Sequence, residues 1–198
     1  MHKGMLKMKK VTGFTIVELV VVIIILGILA ATALPRFLSV EDNAQLAVAE
    51  GVQGALRSAV PLAKAKWVAT GKASNAVDID GGGADVTVDG TSGFPLDDGT
   101  TGSDLLQCAG VFAGVLGGDA PAVIAGGSAS TTTGAAAVTI ADTAYTAGTD
   151  WYAVDDLATM ANCTFVYLPE GGDSGDYVAW FSYQVSSGDF SAITETTL

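Results

Sequence analysis

Basic residues and histidine are scarce in this 198-residue sequence. It has nine Lys and Arg against 21 Asp and Glu, and its single histidine is His2. No Lys or Arg follows Lys72, whereas seventeen acidic residues do. Such a surface repels phosphate backbones, which excludes nucleic-acid binding through a basic patch. Because the single histidine lies at the extreme N-terminus, the sequence also lacks a suitably placed histidine for three kinds of site. These are a Ser-His-Asp site, a Cys-His site and a histidine-bearing zinc site.

The abundant acids do not form a convincing catalytic or metal-binding pattern. Paired carboxylates can act in glycosidases or bind Ca²⁺, but adjacent acids are expected from this composition alone. None of the clusters has the twelve-residue calcium-loop spacing, so we interpret them as solvated turns. We therefore predict no enzyme activity, no cofactor and no metal. The clusters are Asp78, Asp80 and Asp85; Asp97, Asp98 and Asp104; and Glu170, Asp173 and Asp176.

One long apolar run lies near the N-terminus. Sixteen consecutive residues from Leu19 to Leu34 carry no charge. A helix over residues 14–35 would be about 33 Å long, enough to cross the core of a bilayer. Four lysines precede the run, which predicts a cytoplasmic N-terminus and a chain that otherwise lies outside the cytoplasm. An ordinary cleaved signal peptide is the alternative, although the run is long for one.

Glu18 is the only charged residue between Val11 and Pro35. A carboxylate in hydrocarbon costs about 2–3 kcal/mol on insertion scales, so it needs a partner. Cleavage between Gly13 and Phe14 would create a free α-amino group one helical turn before Glu18. That amine, on the same chain or on a neighbouring copy, would supply the complementary charge.

The segment GFTIVE at residues 13–18, between a short lysine-rich leader and the apolar run, resembles the class III signal of type IV pilins. The resemblance covers roughly residues 9–38. It implies that a prepilin peptidase cuts after Gly13 and methylates the new amine of Phe14. It also implies that Glu18 guides subunit docking in a filament. The apolar run is similar, more narrowly, to that of mannose-sensitive haemagglutinin (MSHA) pilins.

The helix is expected to continue beyond the apolar run. Residues 36–70 predict an amphipathic second half that Gly71 ends. Pro35 should kink the helix. The resemblance implies that the helix melts locally between Gly27 and Pro35 when subunits pack into a filament. The alternative is a membrane helix that is simply bent. Apolar residues at spacings of three and four predict the buried face, which comprises Phe37, Val40, Ala44, Val48, Val52, Ala55, Ala59 and Leu62.

Beyond Gly71 the composition shifts to Gly, Ala, Ser, Thr and Asp. The pattern predicts a short helix at 104–116 and exposed, variable loops with limited strand content over 117–150. It predicts strands at 86–88, 151–154, 163–168, 177–185 and 190–193, the last three joined as an antiparallel meander. One apolar helix face and one sheet face make a two-layer α+β head, in which the long helix packs on a small antiparallel sheet. The resemblance implies the same head.

Cys108 and Cys163 are the only cysteines, and both fall in the region expected outside the cytoplasm. An even pair in an oxidising compartment predicts a disulfide that stabilises the head by roughly 3–4 kcal/mol. A redox-active role is disfavoured, because the sequence has no Cys-x-x-Cys motif and no nearby cation to lower a thiol pKa.

The expected organisation is a cleaved leader (1–13), a transmembrane and filament-core helix (14–35), its amphipathic continuation (36–70) and an exported head (71–198). The resemblance implies an inner-membrane pilin that the pilus assembly machinery polymerises with further copies of itself. The product would be an extracellular MSHA-like pilus for attachment or motility. Two alternatives stay open: a type II secretion pseudopilin, and a membrane-anchored binding or enzymatic domain that does not polymerise.

Overall fold

A computed structural model describes residues 13–79, 86–97, 107–129, 134–143, 149–156, 162–169 and 177–197. The chain divides into two compact units, the first ending at Asn43 and the second beginning at Ala44. The long helix α1, Ile16–Ala69, contributes residues to both units.

In the first unit, α1 carries the apolar run. Its large aliphatic side chains from Ile16 to Leu34 are 40–82% exposed, on every side of the helix. The segment Ile16–Leu34 has a mean hydropathy of 2.9 and is long and apolar enough to cross a membrane. The helix is continuous through Gly27 and Pro35. Melting between these two residues therefore stays a prediction about the filament.

In the second unit, the buried face of α1 differs from the predicted one. The predicted Val48 and Leu62 are 47% and 55% exposed, whereas the predicted Val52 and Ala59 are partly buried against the core. The predicted face is therefore displaced by one residue along the helix. Small apolar residues recur at helical spacing on both the predicted face and the observed buried face. The two largest buried side chains of the helix, Leu56 and Trp67, lie on the observed face. The buried residues are Ala49, Gln53, Leu56, Val60, Ala63 and Trp67.

The end of α1 confirms the predicted role of Gly71. Its φ of 76° lies in the left-handed region that favours glycine. The Gly71 N–H donates to the Val68 carbonyl at 3.0 Å, and the Lys72 N–H donates to the Trp67 carbonyl at 3.1 Å. These two bonds form a Schellman motif, which satisfies carbonyls that the helix end leaves without partners.

Besides α1, the described residues of the second unit form two sheets and two short helices. A three-stranded antiparallel sheet contains β1 (Ala76–Val77), β2 (Val86–Val88) and β3 (Pro95–Asp97). The main sheet contains β4 (Val123–Ala129), β5 (Trp151–Asp156), β6 (Asn162–Tyr167), β7 (Tyr177–Gln184), β8 (Asp189–Phe190) and β9 (Thr194–Thr197). Its order is β4-β5-β6-β7-β8, and β9 also pairs with β7. The helices are α2 (Cys108–Leu116) and α3 (Gly134–Thr143), and a 3₁₀ turn (Gly117–Asp119) follows α2.

The main sheet buries both of its faces. One face packs against α1, α2 and the small sheet, through alternate residues such as Phe165 and Phe181. The opposite face packs against α3, through residues such as Tyr152 and Val166. The α+β class and the antiparallel meander are thus confirmed. The predicted two-layer head is wrong, because α3 adds a third layer.

The third layer comes from the region that was predicted to be loop. Strand β4 pairs in parallel with β5, and α3 buries Ala137, Val138 and Ala141 against the sheet. A run rich in Gly, Ala, Ser and Thr has the composition of a loop. However, small side chains also let a helix lie close to a sheet, so composition alone cannot separate the two. Strand β4 fits the limited strand content predicted for 117–150, but the interpretation of this region as exposed loops is wrong for α3.

The basic residues of the second unit make hydrogen bonds, an ion pair and cation–π contacts within that unit. Arg57 donates hydrogen bonds to the carbonyls of Phe190 and Ser191, both at 3.0 Å. The ammonium nitrogen of Lys64 lies 3.9 Å from the centroid of the Phe94 ring. Lys66 pairs with Asp78 and donates to the Ile79 carbonyl, and Lys72 lies over the Trp67 ring. The head's own cations are therefore engaged internally.

Candidate assembly site at the start of the first helix

The first turn of α1 is closed by Thr15 and Glu18. The Glu18 N–H donates to Thr15 Oγ1 at 3.2 Å, and the Thr15 N–H donates to Glu18 Oε2 at 2.9 Å. The Thr15 hydroxyl adds a 2.8 Å bond to the same Oε2. Since α1 begins at Ile16, Thr15 is the N-cap and Glu18 the third helical residue, which makes this pair a capping box.

Both hydrogen bonds that Glu18 accepts end on one carboxylate oxygen. Within the described residues, its Oε1 has no hydrogen-bond partner and the whole side chain is exposed. The neighbouring Phe14 is 82% exposed, and open space surrounds Gly13. The site thus presents one free carboxylate oxygen, together with an accessible Gly13-Phe14 peptide bond, at the end of an exposed apolar helix.

Sequence reasoning identified Glu18 but missed the part played by Thr15. The signal was present, since Thr15-Ile16-Val17-Glu18 has the Thr-x-x-Glu pattern that marks a helix start before an apolar run. The charge of Glu18 alone predicts only that this carboxylate needs a cationic partner. The structure gives this carboxylate local partners, although none of them is charged.

Comparison with known proteins agrees with this geometry. Residues 8–34 match the family described as the prokaryotic N-terminal methylation motif. The chain carries a pilin-type methylation signal. It is 45% identical over 60 residues to the type IV narrow pilus major component PilA5 of Thermus thermophilus. It is 43% identical over 53 residues to the type II secretion system core protein G of Pseudomonas aeruginosa.

These similarities cover a limited part of each protein. The alignments span 29% of this chain and 52% of the Thermus protein, and 27% of this chain and 37% of the Pseudomonas protein. The chain thus spans about half or less of the length of the curated relatives it matches. No solved structure matches. The chain is thus similar both to a pilus component and to a type II secretion core protein, and the comparisons do not single out the MSHA subgroup.

The predicted disulfide is present in the second unit. It joins Cys108, the first residue of α2, to Cys163 on β6, with the Cα atoms 5.3 Å apart. Both residues are completely buried in the core. The disulfide thus ties α2 to the centre of the main sheet, far along the chain from the pilin-type signal.

The acidic clusters of the sequence lie mostly outside the described residues. This applies to Asp80, Asp85, Asp98, Asp104, Glu170, Asp173 and Asp176. Among residues that are described, Asp78 pairs with Lys66 and Asp97 is fully buried. In that part of the chain, no group of three or more His, Cys, Asp and Glu side chains is arranged to hold a metal ion.

Proposed function

We propose that this chain is a pilin that polymerises with further copies of itself into an extracellular type IV filament. The observation that carries the proposal is the Thr15–Glu18 capping box, which lies between an accessible Gly13-Phe14 bond and an exposed apolar helix. An apolar helix of this kind needs either lipid or other helices around it. A membrane would supply the first environment and a filament core the second.

Maturation would set up the assembly site. A prepilin peptidase removes residues 1–13 and methylates the amine of Phe14. Residues 14–35 hold the subunit in the inner membrane, with the N-terminus cytoplasmic, and later enter the filament core. Residues 36–70 continue the helix, and residues 71–198 form the exported head. The match of residues 8–34 to the methylation motif supports this order of segments.

Glu18 would have two roles that its two carboxylate oxygens keep separate. Oε2 accepts the hydrogen bonds from Thr15 and caps the helix of its own subunit. Oε1 has no hydrogen-bond partner among the described residues and is free to meet the Phe14 ammonium of an incoming subunit. An ammonium buried without a counter-charge typically costs several kcal/mol. Charge pairing at Glu18 would therefore select correctly docked subunits.

We favour a surface pilus of the MSHA type, used for attachment or motility, over a pseudopilus. The disulfide-linked head and the similarity to a major pilus component support this choice. The similarity to a type II secretion core protein supports the alternative, a short periplasmic pseudopilus. A membrane-anchored domain that does not polymerise is a third and weaker candidate, since it gives no role to the charge of Glu18.

The decisive experiment compares Glu18→Gln, Glu18→Ala and Glu50→Gln in cells. Glutamine serves in a capping box as well as glutamate does, so Glu18→Gln removes the charge and keeps the cap. Glu18→Ala removes both. Glu50 is exposed on the same helix, beyond the apolar run, and provides the matched control. Each strain is assayed for membrane-fraction subunit and for sheared surface filaments.

We expect both Glu18 variants to insert normally and to lose filaments, whereas Glu50→Gln keeps them. Normal filament yield from Glu18→Gln, with loss only in Glu18→Ala, would reduce Glu18 to a helix cap and contradict the charge-pairing role. Wild-type cells that assemble the subunit only into periplasmic fibres would favour the pseudopilus. An absence of any assembly in wild type would favour the non-polymerising domain.

A further inference from the structure

A row of side chains crosses the face of the main sheet that packs against α1 and α2, at the level of the disulfide. Asp155 on β5 is the direct cross-strand partner of Cys163 on β6, and Cys163 is in turn the partner of Tyr183 on β7. Direct partners in antiparallel strands point to the same face, with Cβ atoms roughly 4.5–5.5 Å apart. The Asp155 carboxylate therefore lies beside Cys163, and the Tyr183 side chain flanks this cysteine on the other side.

The same carboxylate also contacts the other cysteine of the disulfide. Its Oδ1 accepts a hydrogen bond from the N–H of Cys108 at 2.8 Å, and Cys108 is the first residue of α2. Its second oxygen, Oδ2, has no hydrogen-bond partner within the described residues. Asp155 thus holds the backbone of one cysteine with one oxygen and keeps the other oxygen available next to the second cysteine.

The other described ionisable groups around the disulfide are engaged elsewhere. The Tyr183 hydroxyl donates a hydrogen bond to the Pro95 carbonyl at 3.0 Å, and burial raises the pKa of this phenol. Asp156 follows Asp155 on β5 and therefore points to the opposite face of the sheet. Asp97 lies on β3, which packs against α2, and it is fully buried with contacts of its own. Burial also raises the pKa of Asp155, which makes this carboxylate a stronger base near neutral pH.

The two cysteines differ in how an external reagent reaches them. Both are completely buried once the bond has formed. Cys108 begins a helix of nine residues, so opening of the helix end uncovers it. Cys163 lies on β6, which β5 and β7 flank, so uncovering it requires strands inside the sheet to separate. An external oxidant therefore reacts first at Cys108, and Cys163 then closes the bond.

We propose that Asp155 is the base that closes the disulfide. An external disulfide, of a small thiol compound or of a thiol oxidoreductase, first forms a mixed disulfide with Cys108 and releases one external thiol. The thiol proton of Cys163 then passes to Oδ2 of Asp155, and the thiolate attacks the Cys108 sulfur. The Cys108–Cys163 bond forms as the bond to the external sulfur breaks, and the external thiolate leaves with that electron pair. Asp155 returns its proton to the leaving thiolate, so two cysteines are oxidised and one external disulfide is reduced to two thiols.

A base at this position matters because the thiolate, and not the thiol, is the nucleophile. An unperturbed cysteine has a pKa of about 8.5, so only a few per cent of it is ionised at pH 7. Burial disfavours the thiolate further. A carboxylate that takes the proton during the attack removes this limit. All of these residues belong to the second unit, so closure does not depend on how the subunit assembles.

The test separates closure of the bond from access to the first thiol. Full-length protein in detergent is reduced in denaturant, refolded without oxidant and mixed with dipyridyl disulfide, which releases one chromophore for each thiol that reacts. The first release reports the mixed disulfide. The second reports closure, and its rate is independent of reagent concentration because the step is intramolecular.

Three variants are compared with wild type over a range of pH. Asp155→Asn keeps an acceptor oxygen for the Cys108 N–H but takes up no proton. Asp155→Glu keeps a carboxylate. Asp189→Asn is the control, since it removes the same charge from an exposed residue on the opposite face of the sheet. Circular dichroism establishes that each reduced protein is folded.

At pH 7 we expect closure to be about tenfold slower in Asp155→Asn than in wild type, because the few per cent of unaided thiolate then limits the rate. Asp155→Glu should keep most of the wild-type rate, and Asp189→Asn all of it. The difference between Asp155→Asn and wild type should shrink above about pH 8.5, where the Cys163 thiol ionises unaided. A slowing that persists there would reduce Asp155 to a residue that only positions Cys108 and would overturn the proposal.

Wild type alone provides a second measurement. Without a base, the closure rate falls about tenfold for each pH unit below the thiol pKa, since the thiolate fraction falls by that factor. With Asp155 as the base, we expect a clearly shallower fall between pH 8 and pH 6. A full tenfold fall per unit in wild type would overturn the proposal. Equal or faster closure in Asp155→Asn at pH 7, or equal slowing in Asp189→Asn, would do the same.

Discussion

The Asp155 carboxylate caps helix α2 from a neighbouring strand, because its Oδ1 accepts a hydrogen bond from the Cys108 N–H at 2.8 Å. The helix has no cap of its own, since Gln107 at the N-cap position makes no side-chain hydrogen bond to it. Asp155 is also the direct cross-strand partner of Cys163. One pair of strands therefore holds both the cap of α2 and the disulfide that anchors it.

This arrangement predicts a pH dependence for Asp155→Asn. Burial raises the pKa of the Asp155 carboxyl, and the Cys108 N–H offsets that rise only in part. Because its pKa is raised in the folded state, the carboxyl group contributes to the stability of the fold when it is protonated. This contribution is fully present below the unfolded pKa of about 3.9. This contribution is lost as pH rises through the folded pKa. Asparagine keeps the acceptor oxygen without titrating.

The stability of Asp155→Asn relative to wild type should therefore increase as the pH is raised from about 4 to 7. Chemical unfolding of both proteins at several pH values measures this difference, because the other titrating groups are common to the two and cancel. A difference that stays flat or falls with pH would contradict the buried-carboxylate account.

Removing the disulfide should destabilise the head without changing its fold. The double variant Cys108→Ser/Cys163→Ser is expected to lower the free energy of unfolding by about 2–5 kcal/mol, since the crosslink restricts the unfolded chain. Urea unfolding measures the loss, and non-reducing peptide mapping of wild type should recover the two cysteines in one linked fragment. Free thiols at both positions in the native protein would count against the disulfide.

Gly188 and Gly71 provide a matched pair for testing a ring contact. Both have positive φ, at 77° and 76°, so alanine is strained at either position. A Cβ at Gly188 would also overlap the Phe94 ring, whereas nothing lies within 4 Å at Gly71. We expect Gly188→Ala to lose about 1–3 kcal/mol more than Gly71→Ala, the usual range for overpacking. Equal losses in thermal unfolding would show that the ring moves aside freely.

The orientation of α1 in the head can be tested with two leucines of the same helix. Leu56 is fully buried and Leu62 is 55% exposed. Leu56→Ala should therefore cost about 2–5 kcal/mol, and Leu62→Ala much less. Denaturant unfolding distinguishes the two. A larger loss in Leu62→Ala than in Leu56→Ala would show that the face predicted from the sequence pattern is the buried one.

Sequence periodicity predicted some elements of the head well because their signals are strong. Alternating aromatic and β-branched residues marked the region of β5, β6 and β7, and Gly71 marked the end of α1 through its left-handed conformation. The buried face of α1 was misassigned because alanine and valine recur on both sides of the helix. Packing of Leu56 and Trp67 decides between the two faces, and that is a tertiary effect.

Other features were beyond the sequence for different reasons. Seven of the ten residues of α3 are alanine, glycine or threonine, so neither its composition nor its periodicity distinguishes it from a loop. At the candidate assembly site, Gly13, Phe14 and Glu18 stood out through their pattern. The capping role of Thr15 required the hydrogen-bond geometry.

The processing proposed at the N-terminus predicts a defined mature mass. Intact mass spectrometry of the membrane-extracted protein should show loss of residues 1–13 and gain of one methyl group on Phe14. Cleavage exposes the amine that Glu18 is proposed to meet, so the same preparation tests the first step of assembly. A mature chain that still begins at Met1 would exclude this processing.

The internal use of Arg57, Lys64, Lys66 and Lys72 has a consequence for how neighbouring heads would meet. No Lys or Arg follows Lys72, so the seventeen acids after it far outnumber these four cations. Like-charged surfaces repel over a Debye length of about 10 Å at 0.1 M salt, and about 30 Å at 0.01 M. In the proposed filament, the repulsion between adjacent heads would therefore be strongest in dilute buffer, and added salt would screen it.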